Sequence, residues 1–131
     1  MNTHHEVVAA IIRSKDKILC VQRGQSKYDY ISNKYEFPGG KMEAGETKEE
    51  TIKREILEEL KMVIEIQKEF LTVTYHYPDF SITMHSFLCS CENPNVTLTE
   101  HIDFKWLSKD ELSHLNWAAA DLPIVGKLIN S

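Results

Sequence analysis

The chain lacks any long hydrophobic run. No apolar segment approaches the roughly 18 consecutive residues that a membrane-spanning helix needs, so we expect no membrane partner. The first residues have neither the basic start nor the apolar stretch of a secretory signal peptide. Together these absences predict a protein of the cytoplasm.

Cysteine is scarce, since the chain has only three, Cys20, Cys89 and Cys91. An odd number in a chain without a leader argues against a disulfide framework. Cys89 and Cys91 alternate within an apolar run and should face the same side of a strand. A zinc site would need further ligands at suitable spacing, which the sequence does not offer. We therefore predict buried thiols.

Positive charge is also in short supply. The chain carries 15 Lys and Arg against 20 Asp and Glu, which leaves a net charge of −5. Such a chain is a poor match for a nucleic-acid polymer, whose backbone requires clustered Lys and Arg. A small anion could still bind if a cation mediated the contact. Seven of the 20 acidic residues lie between Glu43 and Glu59, and they mark the most informative stretch of the sequence.

The hydrophobic pattern predicts an α/β fold. A length of 131 residues with 42% hydrophobic content fits one domain over residues 1–131. Alternating and β-branched segments predict strands over residues 6–12, 17–23, 35–37, 63–66, 69–77, 80–91 and 104–107. Helical spacing and capping signals predict helices over residues 48–61 and 121–129, with loops over 24–34 and 41–45. A mixed β-sheet between helices accounts for this order of elements.

The first predicted helix places three glutamates on one edge. Thr47 followed by Glu50 matches a capping box, which starts a helix. Glu55, Glu58 and Glu59 are three and four residues apart, and residues at that spacing share a helix face. Like charges so placed destabilise a helix by a few tenths of a kcal/mol per pair, which favours a cation among them. Carboxylate oxygens are the hard ligands that Mg²⁺ and Mn²⁺ prefer.

The spacing around these glutamates resembles the signature of the Nudix hydrolases, GX5EX7REUXEEXGU, where U is a bulky aliphatic residue. It runs from Gly40 through Glu46 to residues 54–62, REILEELKM. Lys61 stands where the family has glycine, which often adopts a left-handed conformation after a helix. Keeping that geometry would cost Lys61 about 1 kcal/mol, so we expect a local adjustment and retained activity. The alternative is an amphipathic helix with a solvated acidic face.

The resemblance extends over most of the chain. Segments similar to the MutT branch of the family are residues 8–12, 22–23, 36–41 and 120–125. Within that branch they look closest to the CTP pyrophosphohydrolases and to the enzymes that clear oxidised nucleotides. The resemblance implies a Nudix-type α/β/α sandwich and a Mg²⁺-dependent enzyme, with Mn²⁺ as a possible substitute. Such an enzyme hydrolyses (d)CTP or oxidised nucleotides such as 8-oxo-dGTP to the monophosphate and pyrophosphate, as a monomer or homodimer.

Two alternatives stay open within the same resemblance. The first is a Nudix hydrolase of another nucleoside diphosphate derivative, such as ADP-ribose, a dinucleoside polyphosphate or a nucleotide sugar. The extra motifs that such branches usually carry are not found. The second is a non-catalytic regulator that binds a nucleotide. Loss of the metal carboxylates would point to a regulator, and this chain keeps them all.

The resemblance also assigns roles to the acidic residues. The metal ligands that it implies are the carbonyl of Gly39 and the carboxylates of Glu55, Glu58, Glu59 and Glu100. The catalytic residues that it implies are Glu58, Glu55, Arg54 and Glu100. Arg54 would pair with a carboxylate and hold it in place, and Glu46 would brace the loop against the helix. Glu100 would add metal binding or general-base chemistry from a separate loop, unless it is a solvated loop residue.

Substrate contacts implied by the resemblance involve Arg23, Glu36, Phe37 and Asp121. Arg23 would contact phosphate or ribose, unless it is a surface arginine at a strand end. Glu36 and Asp121 lie where the branch recognises the nucleobase, and a carboxylate accepts hydrogen bonds from an exocyclic amino group. The MutT branch looks to have Asn at the position of Asp121. An Asn side chain both donates and accepts hydrogen bonds, whereas an ionised Asp only accepts them. A protonated Asp would restore the donor. Asp121 could equally cap the last helix.

Aromatic and histidine residues are less informative. Phe37 could stack on the base, but aromatic residues at strand spacing are more often part of the core. The scattered histidines are His76, His85, His101 and His114. Each is predicted to be a surface or hydrogen-bonded residue rather than a ligand.

Overall fold

The computed structural model describes residues 3–131 and contains one mixed sheet. Its seven strands are β1 (Thr3–Ser14), β2 (Lys17–Gln22), β3 (Tyr35–Glu36), β4 (Gly39–Lys41), β5 (Glu65–His76), β6 (Phe80–Ser90) and β7 (Asp103–Leu107). The α-helices are α1 (Lys48–Leu60) and α2 (Leu122–Ile129), and short 3₁₀ helices cover Lys109–His114 and Ala119–Asp121. No helix within residues 3–131 is long and apolar enough to cross a membrane. The predicted mixed α/β fold is confirmed.

Strand β1 organises the sheet. The strands follow the order β3-β2-β1-β6-β5, while β4 pairs with β1 and β7 pairs with β2. β1 runs parallel to β6 from Thr3 opposite Phe80 to Arg13 opposite Ser90. The other pairs are antiparallel. The sheet is therefore mixed, because β1 and β6 are parallel and the chain that connects them crosses over through α1.

Alternate residues of β1 supply two apolar layers. Val8, Ala10 and Ile12 pack with α1, while Ala9 and Ile11 belong to the core on the α2 side. The stripe of α1 that faces the sheet consists of the fully buried Ile52, Ile56 and Leu60. Successive side chains of a strand point to opposite faces. The sheet consequently lies between the helices, as predicted.

Strand β4 departs from the sequence prediction, which assigns no strand to Gly39 and Gly40 and places residues 41–45 in a loop. The structure pairs Gly39–Lys41 antiparallel with residues 7–9 of β1. β2 pairs with β1 near their hairpin, at Arg13 and Ser14, and the same edge of β1 stays open further along. Buried backbone groups need hydrogen-bond partners. The glycine segment supplies them, and this draws it against the sheet.

Strand β5 is longer than predicted, because residues 63–66 and 69–77 are predicted as separate segments. The structure joins them in Glu65–His76. The register against β6 shifts between Ile66 and Lys68 and again between Glu69 and Thr72. Irregularities of this kind interrupt the alternation of side chains. They explain why the sequence pattern shows a gap where the strand is continuous.

Helix α1 ends at Leu60, and Lys61 adopts a left-handed conformation with φ 55° and ψ 37°. The expected local adjustment at Lys61 is therefore wrong. The Lys61 N–H donates to the Leu57 carbonyl at 3.1 Å, and the flanking Leu60 and Met62 are buried. These contacts hold the chain in a conformation that costs a non-glycine residue roughly 1–2 kcal/mol.

Candidate functional site

The loop after β4 leads directly into α1. Thr47 Oγ1 accepts a hydrogen bond from the Glu50 N–H at 3.1 Å, and Glu50 Oε1 accepts one from the Thr47 N–H at 2.9 Å. The predicted capping box is therefore confirmed. Because this box fixes where the helix begins, it also fixes the direction in which the acidic edge of the helix points.

Arg54 lies at the centre of the acidic edge. Its Nε and Nη2 atoms donate to the Glu46 carboxylate at 2.6 and 2.9 Å. Its Nη1 atom donates to Glu55 at 2.9 Å and to Glu58 at 3.3 Å. The contact with Glu46 uses the two-pronged geometry in which a guanidinium binds a carboxylate most strongly. Arg54 thus links three signature glutamates and sets their relative positions.

Glu46 ties the loop to the helix. In addition to Arg54, its Oε1 atom accepts hydrogen bonds from the Glu43 N–H at 3.0 Å and from the Thr51 hydroxyl at 2.9 Å. The hydrogen bonds from Arg54, followed by the bond from the Glu43 N–H, lower the pKa of Glu46 to about 2. Glu46 therefore remains ionised and serves as a fixed anchor for the Arg54 guanidinium.

Gly40 lies directly against the Glu55 carboxylate. A Cβ atom at Gly40 would stand 2.4 Å from Glu55 Cδ and 2.5 Å from Glu55 Oε2. No side chain can occupy so small a gap without displacing the carboxylate. The absence of a side chain at Gly40 is what allows β4 to approach the acidic edge of α1.

Glu59 is the least satisfied carboxylate of the edge. Its Oε2 atom is buried and accepts no hydrogen bond from residues 3–131. Burial, and then the carboxylates of Glu55, Glu100 and Glu36, raise the pKa of Glu59 to about 9. A buried polar atom without a partner is costly, and like charges nearby add to that cost. A cation at Glu59 would offset both effects, so the residues present fit a bound metal ion.

These side chains line a cavity of about 670 Å³, which we call the carboxylate cavity. Its lining includes the residues that the family resemblance implies as metal ligands, which are Gly39, Glu55, Glu58, Glu59 and Glu100. Within residues 3–131, no three acidic, histidine or cysteine side chains already stand together at metal-binding spacing. Arg54 holds Glu58, but the Glu58 side chain is 60% exposed and can turn toward the others. A set of hard oxygen donors suits Mg²⁺ or Mn²⁺.

Glu100 is placed by a loop that is fastened to the end of α1. The Thr97 N–H donates to the Leu60 carbonyl at 3.0 Å. Thr99 donates to the Glu59 carbonyl through its N–H at 3.2 Å and its hydroxyl at 2.8 Å. The last carbonyls of a helix lack partners within the helix, and this loop satisfies two of them. The loop thereby brings Glu100 to the carboxylate cavity, although its side chain remains exposed.

A second cavity, of about 480 Å³, lies beside the first. The residues that line both include Arg23, Glu36, Gly39, Gly40 and Lys41, so the two cavities form one cleft. We call the second one the aromatic cavity, because its walls include Tyr28, Phe37, Tyr77 and Phe80. Phe37 also stacks on the buried Trp117 at a ring-centroid distance of 4.7 Å. Its ring is therefore part of the core as well as of the cavity wall.

Asp121 is buried and lines the aromatic cavity. Its Oδ1 atom accepts a hydrogen bond from the Phe37 N–H at 3.1 Å. The prediction that its side chain caps α2 is wrong, because α2 begins without a side-chain capping bond from Asp121. Burial, and then the negative charge of Glu36, raise the pKa of Asp121 well above its usual value. Asp121 is therefore held in an environment that favours the protonated form.

The Glu36 carboxylate accepts hydrogen bonds from residues on two sides. Its Oε1 atom accepts hydrogen bonds from Arg23 Nη2 at 2.9 Å and Arg23 Nε at 3.2 Å. Its Oε2 atom accepts one from His101 Nε2 at 3.0 Å. Burial raises the pKa of Glu36, but the His101 hydrogen bond and the Arg23 charge outweigh it and leave the pKa below its usual value. The sequence does not single out His101, and its position next to Glu100 is the one signal that could have found it.

The acidic helix edge, the glycine-containing strand β4 beside it and the adjoining cleft match a known domain. A family model described as the NUDIX domain matches residues 7–127. The chain belongs to the Nudix family. Members of this family generally use divalent metal ions. The oxygen donors of the carboxylate cavity agree with that requirement.

Individual Nudix proteins resemble the chain over nearly its whole length. An 8-oxo-dGTP diphosphatase of Escherichia coli (strain K12) is 29% identical over 123 residues, or 94% of this chain and 95% of that protein. A CTP pyrophosphohydrolase of the same strain is 31% identical over 121 residues, or 92% of this chain and 87% of that protein. The predicted resemblance to the MutT branch is confirmed.

Solved structures agree with the fold. The MutT protein from methicillin-resistant Staphylococcus aureus 252, solved by NMR, shares 39% identity at a TM-score of 0.76 and covers 99% of this chain and 98% of that one. The MutT protein from Methanosarcina mazei Go1 has a TM-score of 0.87 with coverage of 98% and 95%. At 21% identity it supports the fold alone.

Proposed function

We propose that the chain is a Mg²⁺-dependent nucleoside triphosphate pyrophosphohydrolase, with residues 1–131 as one Nudix domain. It would convert (d)CTP or an oxidised nucleotide such as 8-oxo-dGTP to the monophosphate and pyrophosphate. The observation that carries the proposal is the buried, unpartnered Glu59 Oε2 atom among neighbouring carboxylates, beside a cavity that can hold a base. The 8-oxo-dGTP diphosphatase and CTP pyrophosphohydrolase relatives support this substrate class.

The carboxylate cavity is the proposed metal and phosphate end of the cleft. Mg²⁺, or Mn²⁺ in its place, would be held by the carbonyl of Gly39 and the carboxylates of Glu55, Glu58, Glu59 and Glu100. When bound, such an ion polarises a phosphoryl group and lowers the pKa of a bound water. Arg54 orients Glu55 and Glu58, and it stays in place because Glu46 anchors it.

Charge complementarity determines how a triphosphate can enter. The glutamates of the carboxylate cavity repel the phosphate groups of a nucleotide unless a cation lies between the carboxylates and the phosphates. Arg23 and Lys41 are basic residues at the junction of the two cavities. Arg23 uses Nε and Nη2 on Glu36, and its Nη1 has no hydrogen-bond partner within residues 3–131. That donor is the part of Arg23 that we assign to phosphate or ribose, and Glu100 is the general-base candidate from the adjacent loop.

The aromatic cavity is the proposed base end. The pKa of Glu36 is below its usual value, so its ionised carboxylate can accept a hydrogen bond. The pKa of Asp121 is above its usual value, so its protonated carboxyl group can donate one. When the environment shifts the pKa values of two carboxyl groups in opposite directions, the two groups take opposite hydrogen-bonding roles. An acceptor beside a donor matches a base that offers an exocyclic amino group next to a ring or carbonyl acceptor. Cytosine and oxidised guanine both present that arrangement.

A nucleotide panel tests the proposal. Pyrophosphate release with Mg²⁺ should be measured as kcat/KM for CTP, dCTP, 8-oxo-dGTP and 2-hydroxy-dATP. We expect turnover of at least one of these, which stops when the metal is chelated. Hydrolysis of ADP-ribose or a nucleotide sugar without any triphosphate turnover would show that the substrate is another nucleoside diphosphate derivative and not a triphosphate. Nucleotide binding without hydrolysis of any compound would indicate a non-catalytic regulator.

The protonated state of Asp121 predicts a pH-dependent stability. Because its pKa is higher in the folded protein, its contribution to stability is complete below the unfolded value of about 3.9 and is lost as pH rises through the folded pKa. Asp121→Asn keeps an acceptor for the Phe37 N–H and replaces the O–H donor by an amide. We expect its free energy of unfolding, relative to that of the unsubstituted protein, to increase with pH above about 4.

Urea unfolding between about pH 4 and pH 9 measures this difference. Asp110→Asn, measured alongside, is the matched control for an Asp-to-Asn change at an exposed position outside the cleft. A flat curve for Asp121→Asn would mean that Asp121 is ionised in the folded protein. The proposed donor role of Asp121 would then be lost.

A further inference from the structure

His101 makes one polar side-chain contact within residues 3–131, and that contact is with the Glu36 carboxylate. Its Nε2–H donates to Glu36 Oε2 at 3.0 Å, and its side chain is 7% exposed. The other ring nitrogen, Nδ1, is buried and has no hydrogen-bond partner in the described part of the chain. A buried ring with an unsatisfied nitrogen costs free energy. Packing therefore does not explain why a histidine occupies this position.

The opposite side of Glu36 offers a less rigid contact. Arg23 holds Oε1, but its side chain is long and 47% exposed. Such a side chain retains conformational freedom unless several contacts fix it. The His101 ring is short and buried by comparison. The direction in which Glu36 Oε2 points is therefore determined mainly by His101.

His101 is itself held in place by its neighbours along the chain. Thr99 is fastened to the Glu59 carbonyl, as described above, and the Ile102 N–H donates to the Gln22 carbonyl at 2.9 Å. The ring therefore projects from a backbone that is tied both to α1 and to β2. Its position is set before any substrate enters the cleft.

We propose that His101 is a specificity-determining positioning residue, which holds Glu36 Oε2 as the acceptor for an exocyclic amino group of the nucleobase. The inference rests on the proposed function, because it concerns the base that the same cleft accepts. Without His101, the Glu36 carboxylate would be held by Arg23 alone and could rotate toward it. The cleft would still bind the sugar and phosphate, but it would lose its preference for the amino group.

Pairs of nucleoside monophosphates that differ in one amino group test this inference. CMP has an exocyclic amino group where UMP has a carbonyl, and GMP has one where IMP has hydrogen. Calorimetry without metal gives the ratio of Kd values within each pair and does not depend on turnover. We expect the unsubstituted protein to prefer the amino member of at least one pair. His101→Leu should reduce that preference by about 10-fold, as expected for one hydrogen bond to a charged group.

Three further variants separate positioning from folding. His101→Gln can place an N–H near the original Nε2 atom and should keep the preference within about twofold. In a Glu36→Gln background, adding His101→Leu should have no further effect on the preference, because the two residues act as one unit. His85→Leu is the matched control, since His85 Nε2 contacts Glu6 Oε1 at 2.9 Å outside the cleft. It should leave the preference unchanged.

The outcomes distinguish this inference from the proposed function. An unchanged preference in His101→Leu, an equal loss in His101→Gln, or no preference in the unsubstituted protein would overturn the role of His101. Turnover of triphosphates could still be intact in each of those cases. Conversely, a clear loss of preference in His101→Leu with no triphosphate turnover would support the positioning role and reject the proposed reaction.

Discussion

Replacement of Glu58 by glutamine is expected to lower kcat/KM by on the order of 10³-fold, the upper range for loss of one group that stabilises a transition state. Glutamine keeps the shape of the side chain but removes the charge that a divalent ion requires. Glu58 is mostly exposed, so the free energy of unfolding should change by less than about 0.5 kcal/mol. Pyrophosphate release and urea unfolding measure the two effects.

The control is Glu49→Gln, on the same helix. Glu49 is exposed in the first turn of α1 and lines neither cavity of the cleft. Its substitution should leave turnover within about twofold, as is usual for surface positions. Titration with Mn²⁺ gives a readout that is independent of turnover, and Glu58→Gln should bind the ion more weakly. Full activity and unchanged Mn²⁺ affinity in Glu58→Gln would contradict the metal assignment.

The substitution Gly39→Ala is expected to lower the free energy of unfolding by about 3 kcal/mol, the upper range for forcing atoms into a packed site. A Cβ atom at Gly39 would stand 1.9 Å from the Val8 carbonyl oxygen and 2.9 Å from the Ala9 Cα atom. Both belong to the backbone of β1, which cannot move without breaking its pairing with β6. Urea unfolding measures the loss.

Two other glycines provide matched comparisons for Gly39→Ala. Gly40→Ala meets only the end of the Glu55 side chain, so it should displace the carboxylate and reduce kcat/KM by about 10 to 100-fold, with a smaller loss of stability. Gly126→Ala meets nothing within 4 Å in α2 and should stabilise the protein by about 0.5–1 kcal/mol. If Gly39→Ala were as stable as Gly126→Ala, the close approach of β4 to β1 would be disproved.

The carboxylate end of the cleft could be predicted because it depends on local rules. Thr47 and Glu50 start α1 through contacts three residues apart. From that start, helical periodicity places Glu55, Glu58 and Glu59 on one edge without reference to the rest of the fold. Arg54 reaches Glu58, four residues later, for the same reason. Its contact with Glu55 is between neighbours in the chain. Short-range geometry leaves little freedom, so the spacing of residue types is sufficient evidence.

The long-range partners could not be predicted in the same way. Asp121 is a residue type that often caps a helix, but its side chain accepts a hydrogen bond from the Phe37 N–H, which lies 84 residues earlier in the chain. His101 is predicted only as a surface or hydrogen-bonded residue, and the sequence does not identify its partner Glu36, which lies 65 residues away. Lys61 keeps the left-handed conformation because of the buried residues on either side of it. Each outcome depends on which segments the sheet brings together.

The sequence by itself therefore determined the family, the mixed α/β fold and the acidic helix edge with its supporting arginine. Only the tertiary structure decided that Gly39–Lys41 forms a strand on β1, that His101 and Arg23 hold Glu36, and that Asp121 is buried in the aromatic cavity. The physical reason is that helical spacing and capping act within a few residues. Burial, pKa shifts and cavity walls arise from neighbours that are distant in the chain and meet only after folding.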